Sequence, residues 1–388
     1  MRRRRIIILG IGHLATDISQ GALPALLPFL IVQYHLSYSA AAGIVFAANI
    51  FSSLMQPLFG HFADRLSKIW LIPASMLVTG AGTALIGVAP SYWYIFAVVA
   101  VVGIGLAAFH PEAARLVNRV AGKNKSSGMA IFTTGGQLGF AAGPLLTTTV
   151  VLACGLKGTL LLILPVVIAA IFLVPMISRL SKEDLKRAEA GALPLRAEEA
   201  DQWKAFTILM IVIIIRSVLF YGLNTFLPLY WLNVLHQSNA AAGTILTVYF
   251  SCGVFGTLLG GRLGDLIGYR RIVLISLIVV TFVLPVFLLL GDARLATMAV
   301  IPIGFILFLS SSTVIVMGQW YLPNHIGFAS GVTLGLSITA GGTAAPLLGK
   351  IADLYGIPST MWTLTCLPVI CAVLMALLPR SKPSVAHG

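Results

Sequence analysis

Gly60-His-Phe-Ala-Asp64-Arg65-Leu-Ser-Lys68 and Gly261-Arg-Leu-Gly-Asp265-Leu-Ile-Gly268-Tyr-Arg270-Arg271 stand about 200 residues apart, each between the end of one apolar stretch and the start of the next. A carboxylate at a helix end with cations beside it can cap a neighbouring helix and hold a gate in one state. Other segments repeat at the same offset. Ala40-Ala41-Ala42-Gly43 returns as Ala240-Ala241-Ala242-Gly243, Leu27-Pro28 as Leu227-Pro228, Ser127-Gly128 as Ser330-Gly331, and Pro144-Leu145-Leu146 as Pro346-Leu347-Leu348. Five matches in register are not chance, and they divide the chain into two parallel halves. Gly349-x-x-x-Asp353 adds a weaker, inverted echo of Gly60-x-x-x-Asp64.

The solvent of these halves is lipid. Of 388 residues 58% are hydrophobic and only 10% charged, and the mean hydropathy is +0.98, where soluble domains run nearer about 25% charged. A spanning helix needs roughly 20 apolar residues. Twelve stretches qualify, near 6–32, 39–61, 69–89, 92–114, 127–152, 157–179, 205–232, 239–262, 272–290, 295–318, 327–351 and 358–378. With the amino terminus inside, every Lys and Arg except Lys157, Arg294, Lys350 and the intramembrane Arg216 falls on the cytoplasmic side, so both termini are expected there. The expected fold is all-α, twelve transmembrane helices in two pseudo-two-fold six-helix bundles. Residues 1–180 and 205–380 form the bundles, 181–204 a solvated linker holding half of the acidic residues, and 381–388 a cytoplasmic tail.

Several functions are excluded or disfavoured by the same pattern. The net charge of +13 is spread between apolar runs instead of gathered with aromatics, so nucleic acid is not an expected partner. Gly103-x-Gly105-x-x-Ala108 spells a dinucleotide fingerprint but lies inside an apolar helix with no strand before it. No cofactor, metal or enzymatic centre is expected, and Cys154, Cys252, Cys366 and Cys371 are expected to be small buried hydrophobes. The Arg2 to Arg5 run anchors a first spanning helix, since the apolar stretch after it has no convincing cleavage site.

Ionisable groups inside spans are costly and so are candidates for function. His13, Asp17 and Gln20 form one stripe of helix 1, and Phe109-His110-Pro111-Glu112 lies in helix 4, where Pro111 frees backbone carbonyls. Asp17, His13, Glu112 and His110 are the candidate proton carriers; Glu112 and Arg115, three apart, could instead form an ion pair. Arg216 in helix 7 is the sole cation deep in a span. Its guanidinium suits a substrate carboxylate or phosphonate, with Asp17 as its expected partner when the site is empty, or it snorkels to the surface. Gln20, Asn49, Gln137, Tyr221 and Asn224 complete the candidate substrate site, with Ser53, Gln56, Thr133 and Gln319 as further hydrogen-bonding groups. The gating set is Gly60, Asp64, Arg65, Arg115, Gly261, Asp265 and Arg270. Gly139-Phe-Ala-Ala-Gly143-Pro144 in helix 5 supplies small residues four apart for close helix packing.

The two corner segments resemble the loop signature of the major facilitator superfamily, the first with Ser67 where the pattern has glycine. Over most of its length the chain is similar to the fosmidomycin-resistance family of bacterial exporters. Gly12-His13-Leu-Ala-Thr-Asp17 and Phe109-His-Pro-Glu-Ala113 carry that likeness, with Gln56-Pro57, Gly135-Gly136-Gln137, Phe226-Leu-Pro228 and Gln319 to Pro323. The resemblance implies a proton-driven antiporter, monomeric in the bacterial inner membrane, exporting a small drug-like or anionic compound. Uptake of an organic anion with protons on the same fold is the alternative. A non-transporting sensor is remote, since no signalling segment stands beside the spans.

Overall fold

The computed structural model describes residues 3–36, 38–66, 68–189 and 199–379; Arg2, Ser67, the middle of the linker and the 381–388 tail lie outside these. Among the described residues every regular element is helical. The helices are α1 (Arg3–Tyr34), α2 (Tyr38–Leu66), α3 (Leu71–Leu85), α4 (Tyr92–Ala121), α5 (Lys125–Cys154), α6 (Leu164–Glu189), α7 (Trp203–Asn233), α8 (Asn239–Ile267), α9 (Tyr269–Leu288), α10 (Ala293–Leu309), α11 (Ser311–Tyr321) and α12 (Ile326–Ala376). Ten segments among the described residues are long and apolar enough to cross a bilayer. In lipid each backbone group must be satisfied within its own helix. Polar side chains follow the same rule: Ser75, Thr79 and Thr83 of α3 donate to the carbonyls of Leu71, Ser75 and Thr79 at 2.6, 2.9 and 3.0 Å.

Helix ends follow local chemistry. Ser238 and Asp292 cap α8 and α10, accepting from the amides of Ala241 at 3.2 Å and of Arg294 and Leu295 at 2.9 and 3.0 Å. Gly268, with φ +100°, turns α8 into α9 within the second corner segment. Two expected boundaries change. The sixth span opens with a 3-10 stretch, Leu156–Ile163, and α6 then runs to Glu189, into the segment expected to be linker. The tenth is divided at Ser310. The last two spans, both within α12, are separated at Gly356, whose φ of +82° breaks the helix between the expected 327–351 and 358–378 stretches.

Two compact units are present. The first is drawn from Met1–Gly122, Ile131–Asp201 and Leu322–Gly335, the second from Lys123–Ala130, Gln202–Tyr321 and Leu336–Gly388. In the first, α2 and α3 pack along α4, and Leu26, Leu30, Ile44, Ile95 and Val99 form a buried cluster. Gly103 faces the Ala48 carbonyl and Gly105 the Thr79 side chain, so the glycines of the fingerprint-like segment are contact points of α4 with α2 and α3. In the second, α8 and α9 pack on α10 around Tyr249, Phe287, Leu307 and Phe308. Large apolar side chains also point outward: Leu145, Phe255, Phe282, Met298 and Leu347 are each about two-thirds exposed or more, a surface that lipid can cover. Two cysteines correct an expectation for the same reason. Cys371 is buried, but Cys154 and Cys366 lie on exposed helix faces.

Candidate functional site

In the first unit α1 carries His13 and Asp17 one turn apart, and α4 brings His110 to them. His13 Nε2 lies 3.1 Å from Asp17 Oδ2, and His110 Nε2 lies 3.1 Å from Asp17 Oδ1. All three are buried, Asp17 to 7% exposure. The other ring nitrogens are already committed, His13 Nδ1 at 2.8 Å from the Phe132 carbonyl and His110 Nδ1 at 2.7 Å from the Leu106 carbonyl. A carbonyl only accepts, so each Nδ1 carries a hydrogen and donates it. Each Nε2 therefore meets the carboxylate with a lone pair unless a further proton sits between them. With no added proton, lone pairs face lone pairs at both contacts. One added proton makes one hydrogen bond, and two make both, changing the cluster's charge by one at each step.

α5 closes over this cluster. Phe132 stacks on the His13 ring at 4.1 Å between centroids. Gly136 stands so near that a Cβ there would meet the His13 ring at 2.5 Å and Asp17 Oδ2 at 2.7 Å. Gly135 and Gly139 face the Gly10 and Leu14 carbonyls, Gly143 the Ile18 carbonyl, and Gly21 of α1 faces the Phe140 carbonyl. The small-residue segment of helix 5 is thus half of a backbone-to-backbone seam between α1 and α5. Sequence reasoning did not single out Phe132 or Gly136. The Gly135-Gly136 pair was a signal, but two adjacent glycines point to different neighbours, and periodicity alone does not say to which.

Glu112 is fully buried and paired with Arg115, through Nε to Oε2 at 3.0 Å and Nη2 to Oε1 at 2.8 Å. Of the two readings of Glu112, this geometry is the ion pair. The corner carboxylates both cap helices. Asp64, at the end of α2, accepts from the amides of Gly327 at 2.6 Å and Phe328 at 2.9 Å, the first turn of α12. Asp265, at the end of α8, accepts from the amides of Ser126 at 2.9 Å and Ser127 at 2.8 Å and from the Ser127 hydroxyl at 2.6 Å, the first turn of α5. Gly60 and Gly261 allow the approach: a Cβ on Gly60 would strike the Gly327 carbonyl, and one on Gly261 the Ala130 methyl and, at 2.8 Å, the Ser126 carbonyl. Arg270 donates to the carbonyls of Met375 at 3.1 Å and Ala376 at 2.6 Å, capping the last turn of α12. Arg65 is exposed.

Arg216, in the second unit, corrects one expectation. Its donors go to the Ser310 hydroxyl at 3.2 Å, the Leu307 carbonyl at 2.7 Å and the Ser311 hydroxyl at 3.0 Å, all neutral, and no carboxylate among the described residues pairs with it. Asp17 has its two histidines instead. The Leu307 carbonyl, which an unbroken helix would offer to the Ser311 amide, accepts from Arg216 at the division between α10 and α11. Ser310 and Ser311 were not foreseen. The Tyr249 hydroxyl in the same unit is buried with no hydrogen-bond partner among the described residues. Tyr221 and Asn224 are half-buried, as are Gln20 and Gln137 in the first unit, while Asn49 is exposed. Ser53 and both amide atoms of Gln56 are buried on α2 with no hydrogen-bond partner among the described residues, where Gly331 and Gly335 of α12 press against them.

The sequence profile of the Major Facilitator Superfamily matches residues 9–332 and again 209–387. An uncharacterised MFS-type transporter of Bacillus subtilis, YfnC, is 30% identical over 97% of this chain and 93% of its own length. The fosmidomycin resistance protein of Escherichia coli K12 is 28% identical over 96% of this chain and 92% of its own. Among solved structures, the human organic anion transporter MFSD10 shares the fold with a TM-score of 0.75 at 17% identity, over 96% of this chain and 99% of that one.

Proposed function

This chain belongs to the major facilitator superfamily, a multi-pass membrane transporter and not an enzyme, and from that premise we propose that it is a proton-coupled antiporter exporting a small drug-like or anionic compound by alternating access. Its twelve spans cross the bacterial inner membrane with both termini in the cytoplasm, the arrangement favoured by the distribution of Lys and Arg.

The observation that carries the reading is the His13–Asp17–His110 cluster. Its two Nε2–carboxylate contacts become hydrogen bonds only when protons are added. A buried group that changes charge by one with each proton is what coupling requires, because substrate binding then favours one occupancy over another. Arg216 supports an anionic substrate: a guanidinium among apolar helices, hydrogen-bonded but with no countercharge among the described residues, attracts an anion that neutral partners cannot replace. Asp64 and Asp265 serve as latches, each holding the first turn of another helix in one of the transporter's states. Glu112 and Arg115 brace α4 by their own ion pair.

The similarity to the fosmidomycin resistance protein makes fosmidomycin the first substrate to try. In proteoliposomes with an acid lumen, its addition should release protons if the chain is an exporter; co-import of protons would instead make it an uptake system. Asp17→Asn should abolish uphill transport while leaving substrate exchange. Full gradient-driven transport by that variant would remove the cluster from the mechanism.

A further inference from the structure

On the outside of the first unit, Arg3, Arg4, Ile7, Ile8 and Ile11 of α1 and Phe172 of α6 line a groove of about 590 Å³. Arg4, Ile7, Ile8 and Ile11 are spaced i, i+3, i+4 and i+7, one stripe of α1. At 1.5 Å per residue the stripe runs about 12 Å from Arg3 to Ile11, from the end of a spanning helix into its apolar body. Ile7, Ile11 and Phe172 are each about 40 to 55% exposed, so the floor of the groove is open apolar surface.

The charges at its mouth are not neutralised by any described residue. Neither Arg3 nor Arg4 has a hydrogen bond or ion pair with any described residue. The next arginine differs: Arg5 holds Glu183 of α6 with two hydrogen bonds, at 2.7 and 3.2 Å. That pair matters to the groove in two ways. It fixes α6 against α1, giving the groove its second wall, and it cancels a carboxylate that would repel an anion at the mouth. Arg179, seven residues after Phe172 on the same face of α6 and also exposed, adds a third cation on that side.

We propose that this groove seats one anionic phospholipid, its phosphate held by Arg3 and Arg4 and one acyl chain lying along Ile7, Ile8, Ile11 and Phe172. Two guanidiniums above an apolar slot match a ligand that is an oxyanion at one end and hydrocarbon below. A zwitterionic lipid offers the same chain but carries its own cation beside the phosphate, so selectivity should follow headgroup charge. The occupant would tie the start of α1 to the C-terminal part of α6 at the membrane surface.

The test is native mass spectrometry of the purified full chain, titrated with phosphatidylglycerol or phosphatidylcholine. The wild-type protein should bind one phosphatidylglycerol at least about tenfold more tightly than phosphatidylcholine. The Arg3→Gln/Arg4→Gln double variant should lose that preference, while Arg294→Gln, an exposed arginine elsewhere, keeps it. Ile11→Trp fills the slot and leaves the cations in place, so it too should displace the lipid. An unchanged preference in the double variant would overturn the site. Full retention by Ile11→Trp would overturn it as well, because the arginines would then only gather lipid loosely at the surface. Melting temperatures measured without lipid show that each variant is folded.

Discussion

Gly136→Ala is a small change with a large expected effect. The added methyl would stand 2.5 Å from the His13 ring, where ordinary contact begins near 3.4 Å, so about 0.9 Å must be found. The ring cannot easily provide it, being stacked on Phe132 and bound through Nδ1 to the Phe132 carbonyl. Nor can α5 withdraw, since Gly135 and Gly139 hold it against the α1 backbone. Overpacking of this kind costs about 1 to 3 kcal/mol, and turning His13 aside would forfeit a charge-assisted hydrogen bond of about 1.5 to 3 kcal/mol. Because about 1.4 kcal/mol corresponds to one pH unit, the pH midpoint of coupled transport should move by about one unit or more. The assay is substrate-dependent proton release from everted vesicles over a pH series, with the melting temperature recorded alongside. Gly253→Ala is the contrast: its methyl meets the Phe308 ring at 2.6 Å in the second unit and not the cluster, so it should lower the melting temperature and leave the midpoint in place. A wild-type midpoint in Gly136→Ala would refute the idea that α5 holds the proton cluster in shape.

Asp265→Asn keeps one acceptor oxygen for α5 but loses the charge, and at about 1 to 2 kcal/mol for a helix cap it should shift the balance of states about five- to thirtyfold; unchanged labelling of cysteines introduced at the two ends of α5 would dismiss the latch. Asp64→Asn should act the same way on the first turn of α12, slowing transport more than it weakens substrate binding. Arg216→Gln should weaken an anionic ligand at least about tenfold and a neutral analogue much less, and equal losses by calorimetry would mark a purely structural arginine. A membrane-permeant maleimide should modify Cys154 and Cys366 well before Cys371, which is 0% exposed; early reaction at Cys371 would contradict its place in the core.

The helical, multi-pass character was legible because lipid imposes one rule on every span: about 20 apolar residues with backbone bonds closed inside the helix. The corner segments were legible because a carboxylate at a helix end has few uses, and the structure gives Asp64 and Asp265 amide partners that periodicity could not name. Asp17, His13 and His110 stood out as costly residues, but their meeting depends on the packing of α1 against α4, which spacing along one chain does not encode. The division at Ser310 was invisible for a similar reason. No proline or glycine stands at Ser310; the carbonyls that an unbroken helix would use there are taken by side chains distant in sequence, Leu307 by Arg216 and Ile306 by Ser276, with the Ser310 hydroxyl also on Leu307. Cysteine burial was misjudged because the inside-outside rule for apolar residues fails on a surface that faces hydrocarbon.

The seam between α1 and α5 constrains how the molecule can move. Its contacts at Gly10, Gly21, Gly135, Gly139 and Gly143 are main chain on main chain, with no rotamer that can swing aside to lubricate a slide. The two helices should therefore travel as one stiff plank that carries His13, Asp17 and their Phe132 lid together. Only His110 enters the cluster from another direction, on α4, and Pro111 beside it leaves that helix one backbone donor short. Water and protons should consequently reach Asp17 by a flexing of α4, and amide exchange should be faster around residues 107–112 than anywhere along the plank.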